Sequence, residues 1–250
     1  MITRYYFANW KMYQSFASMR KFLKDYKKDA QWQAQFAHHY IGIAASYEHL
    51  YFLQQNLKKS SLHIGAQDCS QFLSGPYTGQ VSVQSLLEMN SSFCIIGHSE
   101  VRKFLGQSDE QIALKFKLLI SANISPILSI GETLEQKQNG MTLQVLFDQL
   151  ESILIFLQSY QGSTKIFIAY EPVYAIGTGI VPSSQGLQDI FCFLKNLVKE
   201  VPVAKNVLFL YGGSVSSQTI LQLQKIDGIS GFLIGKASID FQDLKKIVES

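Results

Sequence analysis

The chain has 250 residues, of which 47% are hydrophobic, so it can bury the core of one large α/β domain. A net charge of only +3 argues against nucleic acid as a partner. The mean hydropathy is +0.07, and no apolar run reaches the roughly 18 residues that a membrane span needs, so no membrane association is predicted.

The three cysteines, Cys69, Cys94 and Cys192, are odd in number and widely spaced. This pattern is typical of unpaired thiols and does not resemble the spacing of a metal site. Residues 1–6 lack the apolar block of a secretory signal peptide. We therefore expect a cytoplasmic location.

Short runs of β-branched and aromatic residues recur at intervals of roughly 20 to 40 residues. They cover residues 5–9, 40–44, 62–66, 93–97, 126–130, 166–170, 207–211 and 231–235. Most are continuously apolar rather than alternating, which is typical of parallel strands covered on both faces. The sequence therefore predicts eight buried strands.

Amphipathic segments with a helical period lie between these runs, as at residues 109–122 and 142–157. Alternation of strands and helices predicts βαβ units with right-handed crossovers. Eight units in 250 residues predict a single-domain (β/α)8 barrel, the TIM barrel, over residues 1–250. An open doubly wound sheet is the alternative, and the absence of a Gly-x-Gly-x-x-Gly motif after the first strand argues against it.

In such a barrel, the loops that follow the strands carry the chemistry at one mouth. The polar residues just after the predicted strands should therefore converge there. They are Asn9, Lys11, Gln67, His98, Ser99, Glu100, Glu132, Glu171, Ser214 and Lys236.

Glu171 ends an apolar strand and precedes Pro172 and a loop that contains Gly177 and Gly179. A carboxylate that takes a proton from carbon needs an apolar wall to raise its basicity and a lid to exclude water. This order of residues therefore favours a catalytic base beneath a lid. The alternative is a solvated strand end before a turn.

His98 precedes Ser99 and Glu100, which have the character of a helix start. The N-terminus of a helix disfavours an imidazolium ion, so a neutral His98 could donate a hydrogen bond to a substrate oxygen. Lys11 could attract an anion to the same mouth. The alternatives are a structural histidine and a surface lysine.

Three glycine-containing turns, at residues 177–179, 212–214 and 234–236, can point backbone N–H groups at a ligand. Two of them follow the last two strands, where barrels often bind phosphate. A base, a neutral electrophile, a cation and a phosphate site together predict proton abstraction next to a carbonyl on a small phosphorylated substrate, through an enediolate. No cofactor motif or metal cluster is present in the sequence, so neither a cofactor nor a metal is predicted.

Short motifs lie at residues 8–12, 65–67, 96–100, 129–133, 170–179 and 211–215, from the first strand to the last. In order and spacing they resemble the triosephosphate isomerase family. The resemblance implies interconversion of D-glyceraldehyde 3-phosphate and dihydroxyacetone phosphate, in glycolysis and gluconeogenesis.

The resemblance also implies a role for each matching residue. Glu171 would be the base, and neutral His98 would polarise the substrate oxygens. Lys11, with Asn9 nearby, would bind substrate and stabilise negative charge, and Glu100 would support the site from beneath. The backbone N–H groups of Gly177, Ser214, Gly235 and Lys236 would bind the phosphate, and residues 173–182 would form the closing lid.

The family is typically homodimeric, and the resemblance implies that the loop from Gln67 to Val81 inserts into the partner near its Asn9 and Lys11. The acid and the arginine that usually pair across this interface are replaced by Gln80 and Val101. Both charges are lost together, so no unpaired charge would be buried. We therefore expect the dimer to persist.

Other positions also depart from the family pattern. Tyr174 replaces the usual tryptophan of the lid, and Pro182 lies where a backbone N–H usually donates a hydrogen bond to the Tyr211 hydroxyl. Proline has no N–H, so closure is expected to depend more on Ser214 and on residues 177–179. Ser129 replaces a cysteine, with an expected effect on packing, and Lys236 replaces a common glycine, which is expected to be harmless.

Two other functions are compatible with a barrel. A Schiff-base aldolase needs a lysine at a mid-barrel strand end, whereas Lys165 lies at the start of its strand. A non-catalytic binding protein would be expected to have lost Lys11, His98 or Glu171, and all three are present. An active isomerase is therefore the favoured prediction.

Overall fold

The apolar runs form parallel strands that close into a barrel in chain order from β1 to β8, as predicted. A computed structural model describes residues 4–58 and 60–250. Residues 1–3, at which the chain was expected to lack a signal peptide, lie outside the described residues. The strands are β1 (Tyr5–Asn9), β2 (Tyr40–Ala45), β3 (Leu62–Ala66), β4 (Phe93–Ile96), β5 (Ser125–Ile130), β6 (Ile166–Tyr170), β7 (Val207–Tyr211) and β8 (Ile229–Ile234).

Helices connect successive strands and surround the barrel. They are α1 (Phe16–Lys28), α2 (Ala30–Gln35), α3 (Tyr47–Asn56), α4 (Val83–Glu88), α5 (Ser99–Leu105), α6 (Asp109–Ser121), α7 (Leu134–Gln138), α8 (Thr142–Ser159), α9 (Ser184–Val198), α10 (Ile220–Leu223) and α11 (Phe241–Glu249). The two predicted helices correspond to α6 and α8. A capping box between Ser108 and Gln111 fixes the start of α6. In the described part of the chain, no helix is long and apolar enough to cross a membrane.

The two faces of each strand are buried in different cores. In β1, Tyr5 and Phe7 point into the barrel, whereas Tyr6 and Ala8 pack in the layer between the strands and the helices. Side chains of a strand alternate between its faces, so both sets must be apolar when both faces are covered. This explains why the strands appear in the sequence as continuous apolar runs.

The barrel interior is filled mainly by aromatic side chains towards the N-terminal ends of the strands. The Phe7 ring lies 4.8 Å from Phe93 and 4.9 Å from Phe167, in edge-to-face contacts. Near the opposite ends, the interior positions include the small residues Ala44 and Ala169. At these two strands the smaller side chains leave room for polar groups at the mouth.

Five strand boundaries differ from the prediction. Strand β2 ends one residue later, β5 begins one residue earlier, and β8 ends at Ile234 and not at residue 235. The other two are the end of β4 and the start of β8. Strand β4 ends at Ile96 and not at residue 97, because Gly97 has a φ of 66°, a left-handed conformation that cannot continue a strand. Strand β8 begins at Ile229, two residues earlier than predicted, with a register shift against β7 at Phe209 and Leu210.

Candidate active site

Lys11 and Glu100 form an ion pair at the C-terminal mouth of the barrel. The Lys11 Nζ donates a hydrogen bond of 2.7 Å to Glu100 Oε1. Asn9, the last residue of β1, accepts a bond from the Lys11 backbone N–H at 3.2 Å. Lys11 adopts a left-handed φ of 48°, which is uncommon for a residue other than glycine. The turn after β1 therefore holds this lysine in one defined direction.

His98 caps the N-terminus of α5, as the sequence indicated for this helix start. Its Nδ1 accepts a hydrogen bond of 3.2 Å from the Glu100 backbone N–H. A ring nitrogen that accepts such a bond carries no proton, so the proton of the neutral ring lies on Nε2. The Nε2 atom lies 3.6 Å from Glu171 Oε2. The cap thus selects the tautomer that presents an N–H group to the mouth.

Glu171 follows β6 and is only 2% exposed. Its Oε1 accepts a bond of 3.1 Å from the Ser129 hydroxyl, whereas Oε2 has no hydrogen-bond partner among the described residues. Burial raises the pKa of the Glu171 carboxyl, and His98, Ser129 and Lys11 oppose this rise. A carboxylate with a raised pKa is a stronger base than an exposed one.

Gly212 allows the carboxylate side chain to lie against bare backbone. A Cβ built at Gly212 would lie 2.6 Å from Glu171 Cγ, which is too close for any side chain. The Gly212 N–H donates to Tyr170 O at 2.9 Å and so holds the end of β7 against β6. The glycine in this turn therefore gives the carboxylate its space.

Lys11, His98 and Glu171 lie at one rim of the barrel, with Glu100 between Lys11 and His98. The Glu100 carboxylate contacts the Lys11 ammonium, and its Oε2 lies 3.5 Å from His98 Nδ1. It is half exposed and lies beside these side chains. Two neighbouring cavities open here, one of about 710 Å³ that includes Asn9, Lys11, His98 and Glu100, and one of about 570 Å³ that includes Ser129 and Glu171.

The segment at residues 173–182 follows Glu171, and its first residues, Val173 and Tyr174, line the same cavity as Glu171. It begins with a 3₁₀ turn at Val173–Ala175. The Ser214 hydroxyl accepts a bond of 3.1 Å from the Gly179 N–H and donates one of 2.6 Å to Ala175 O. Ser214 therefore links the start and the middle of this segment to the loop after β7.

The side chain of Tyr174 reaches helix α7. The Lys137 ammonium donates a hydrogen bond to the Tyr174 hydroxyl and lies 4.1 Å from the centre of its ring. By contrast, the hydroxyl of Tyr211 is buried and has no hydrogen-bond partner within the described part of the chain. This agrees with the presence of Pro182, which has no N–H, in the far half of the segment.

Gly235 and Lys236 begin a 3₁₀ turn, Lys236–Ser238, directly after β8. The first N–H groups of such a turn have no partner within it and can bind an anion. A Cβ at Gly235 would lie 3.7 Å from Lys11 Cε, so this turn borders the lysine. The Lys236 side chain is exposed. Gly177, in the segment at residues 173–182, has a φ of 69°.

The loop from Gln67 to Val81 projects beside the mouth. A bond of 2.8 Å from the Ser70 N–H to Val81 O closes its base, and the rings of Phe72 and Tyr77 stack 3.7 Å apart near its tip. Leu73, also near the tip, is 65% exposed. The loop thus presents apolar side chains to its surroundings.

The larger cavity is a groove with exposed apolar walls. Its lining includes Met12, Tyr13, Phe104 and Leu105, all of them exposed. Gln80 and Val101 also line it.

Two contacts of the site were not assigned by sequence reasoning. An effect on packing is the prediction for Ser129, and its hydroxyl also donates to Glu171 Oε1. Gln67 was placed at the mouth without a role, and its side-chain amide donates to Lys11 O and Ala44 O, both at 3.0 Å. A serine in an otherwise apolar strand was the available signal for the first contact.

A metal-ion site would require a cluster of donor side chains. In residues 4–58 and 60–250, no group of three or more His, Cys, Asp or Glu side chains has a suitable arrangement.

Comparison with known proteins identifies the family. The family model described as triosephosphate isomerase matches residues 5–250. Among curated relatives, the triosephosphate isomerase of Aquifex aeolicus is 33% identical over 97% of both chains. That of Chlamydia felis is 34% identical over 98% of this chain and 96% of its own, and that of Ralstonia nicotianae is 36% identical over 96% and 95%. On these matches and this barrel, the chain belongs to the triosephosphate isomerase family.

Proposed function

We propose that this chain, an aldose–ketose isomerase by its family, interconverts D-glyceraldehyde 3-phosphate and dihydroxyacetone phosphate with Glu171 as the base. The observation that carries the proposal is the buried carboxylate whose Oε2 faces the His98 Nε2 at 3.6 Å. With Oε1 bound by Ser129, Oε2 is the atom left to accept a proton from the carbon next to the carbonyl.

Proton removal from that carbon moves an electron pair onto the carbonyl oxygen and forms an enediolate. The His98 Nε2–H donates a hydrogen bond to the substrate oxygens, and the Lys11 ammonium stabilises the negative charge. The hydroxyl proton on the deprotonated carbon then moves to the former carbonyl oxygen, next to the His98 N–H, and Glu171 returns its proton to the former carbonyl carbon, which completes the isomerisation. No electron acceptor or other reactant is needed.

The substrate phosphate would bind to backbone N–H groups. Gly177 and Ser214 contribute from the lid and the loop after β7, and Gly235 and Lys236 from the 3₁₀ turn after β8. The border between Gly235 and Lys11 supports this placement, because the ammonium then attracts the same dianion. Asn9 supports Lys11 through its side-chain oxygen.

The function is tested by the fate of the transferred proton. The purified protein should convert glyceraldehyde 3-phosphate to dihydroxyacetone phosphate in a coupled assay. In D2O, the product should contain deuterium at carbon, because the proton on Glu171 exchanges with solvent. Conversion without any incorporation of deuterium would contradict an enediolate formed by an exchangeable base.

A Schiff-base aldolase is not favoured, because the lysine beside β6, Lys165, lies at the wrong end of its strand. The Lys165 ammonium donates to the Tyr5 hydroxyl at 3.0 Å, at the barrel end opposite Glu171. Lys165→Met should therefore retain the isomerase activity of the wild type.

We predict that kcat depends more on the contacts of Ser214 with the lid than on the hydroxyl of Tyr211. Tyr211→Phe removes a buried hydroxyl that has no hydrogen-bond partner among residues 4–58 and 60–250, so kcat should stay within about threefold of wild type and stability should be equal or higher. Ser214→Ala removes two bonds to the lid, so kcat should fall by roughly 10- to 100-fold. Steady-state kinetics and thermal unfolding measure both effects. A larger loss of kcat in Tyr211→Phe than in Ser214→Ala would contradict this distribution of the lid contacts.

We also propose a homodimer in which the apolar loop at residues 67–81 inserts into the groove of a second copy. Each copy has both an exposed loop tip at Leu73 and an exposed groove wall at Phe104, so two copies can cover each other's apolar surface. With Gln80 and Val101 at the groove wall, no charge at these positions needs a partner.

If the loop inserts into the groove in this way, a charge introduced in the groove should dissociate the dimer. Light scattering at micromolar concentration should give the mass of two chains for the wild type and of one chain for Phe104→Glu. Ile155→Glu is the matched control, because Ile155 on α8 is exposed to a similar degree, 68% against 71% for Phe104. A monomeric wild type would remove the proposal.

We further propose a cytoplasmic location. Cys69, Cys94 and Cys192 are free thiols, which a reducing compartment maintains. Cell fractionation tests this.

A further inference from the structure

Ser129 lies in β5 and is nearly completely buried, with 1% of its surface exposed. Its hydroxyl donates to Glu171 Oε1 at 3.1 Å, and this is its one hydrogen bond among the described residues. The two residues are 42 positions apart in the chain but follow one another around the barrel, since Ser129 pairs in register with Ala169 of β6. A buried hydroxyl directed at a buried carboxylate has a specific effect, because both groups are shielded from water.

The surroundings of the carboxylate provide few other constraints. On the side of Gly212 there is only backbone, and a Cβ there would lie 2.6 Å from Glu171 Cγ. On the side of His98, the distance of 3.6 Å from Nε2 to Oε2 exceeds the range of a hydrogen bond. The Ser129 hydroxyl is therefore the group that fixes rotation of the carboxylate plane.

We propose that Ser129 is a positioning residue for the isomerisation: by binding Oε1, it directs the free Oε2 of Glu171 towards the substrate carbon. This inference depends on the proposed role of Glu171 as the base. Loss of the bond would let the carboxylate rotate. Oε2 would then be aligned less often with the C–H bond of the bound substrate.

The same bond has an electrostatic consequence that can be measured. A donor to a carboxylate favours its charged form, so Ser129 opposes the effect of burial on the pKa of Glu171. Removal of the hydroxyl should raise that pKa further. A residue that acted only by filling space would leave the pKa of Glu171 where it is.

The experiment compares Ser129→Ala and Ser129→Cys with the wild type. Ser91→Ala is the control, because Ser91 is also buried but its hydroxyl has no partner among the described residues. In Ser129→Ala, we expect kcat at the pH optimum to fall by roughly 3- to 10-fold with little change in KM, and the acid limb of kcat/KM to move up by about 0.5 to 1 pH unit. Ser129→Cys should lie between Ser129→Ala and the wild type, because a thiol is a weak donor. Ser91→Ala should match the wild type.

Two kinetic results would overturn the proposal. One is an acid limb that stays at the wild-type pH in both variants at position 129. The other is a kcat at the pH optimum that is unchanged or higher in Ser129→Ala, which would leave the serine without a positioning effect. Titration of the Glu171 carboxyl carbon by ¹³C NMR reads the same hydrogen bond without turnover, and an unchanged pKa there would also contradict it.

Failure of the mechanism itself is recognised by Glu171→Gln. If that variant is inactive while Ser129→Ala behaves as wild type, only the role of Ser129 is wrong. If Glu171→Gln retains wild-type activity, Glu171 is not the base and both proposals fall.

Discussion

Replacement of Glu171 by glutamine should lower kcat by about 10²- to 10⁴-fold, because it removes the group that accepts the proton from carbon. The amide has nearly the same shape, and its oxygen can still accept the bond from Ser129. The substrate-binding groups are unchanged, so KM should change little. The loss therefore reports on the chemical step.

The same substitution should raise the thermal stability at neutral pH. Burial raises the pKa of Glu171 above its ordinary value of 4.5, so the folded state binds this proton more tightly than the unfolded chain does. The wild type therefore loses stability as the pH rises from about 4.5 through the pKa of the folded state. Glu171→Gln has no charge to bury, so its stability should lack this component.

Coupled assays and thermal unfolding followed by circular dichroism check both effects. Glu132→Gln is the matched control. Glu132 is also buried, has a raised pKa through burial, and accepts the Tyr170 hydroxyl at 3.0 Å, but it is not at the reacting groups. Glu132→Gln should retain a far larger fraction of the wild-type kcat than Glu171→Gln does. A Glu171→Gln enzyme with more than about a tenth of wild-type kcat would contradict the role of the base.

Replacement of Lys11 by methionine should lower kcat/KM by about 10²- to 10³-fold, the size seen when one group that stabilises a developing oxyanion is lost. Methionine retains much of the aliphatic length, so the main change is the loss of the charge. Glu100 then loses its ion-pair partner at 2.7 Å and adds an uncompensated negative charge beside the substrate. We expect KM for the anionic substrate to rise and kcat to fall.

The measurement is a pair of kinetic runs at low and high ionic strength. Salt should weaken substrate binding by the wild type more than by Lys11→Met, because the ammonium that attracts the phosphate is absent from the variant. Lys165→Met is the control, since it removes a lysine from the opposite end of the barrel. Equal kinetics of Lys11→Met and Lys165→Met would show that Lys11 does not act on the substrate.

Patterns of neighbouring residues predicted much of the architecture. Strands β1, β3, β6 and β7 have the predicted bounds, because a strand buried on both faces must be continuously apolar. Helix α5 starts where Ser99 and Glu100 indicated, with His98 as its cap. These features depend on contacts between residues close in the sequence, or on the burial of both strand faces, which all strands of a barrel share.

The convergence of Lys11, His98 and Glu171 was also predictable, for a topological reason. In a parallel barrel, all the strand ends with the same polarity meet at one mouth, so distant residues come together without any pattern in their spacing. The individual distances did not follow from this argument. The ion pair between Lys11 and Glu100 joins residues 89 positions apart.

The sequence by itself determined the family, the order of strands and helices and the types of residue at the mouth, because local periodicity and short motifs carry that information. Only the tertiary structure decided that Ser129 binds the carboxylate of Glu171, that Lys137 contacts Tyr174, and that the Tyr211 hydroxyl has no partner in the part of the chain that the structure describes. Each of these outcomes depends on the distance and direction between atoms of separate βα units. Such distances are set by packing around the whole ring of strands, which no local pattern encodes.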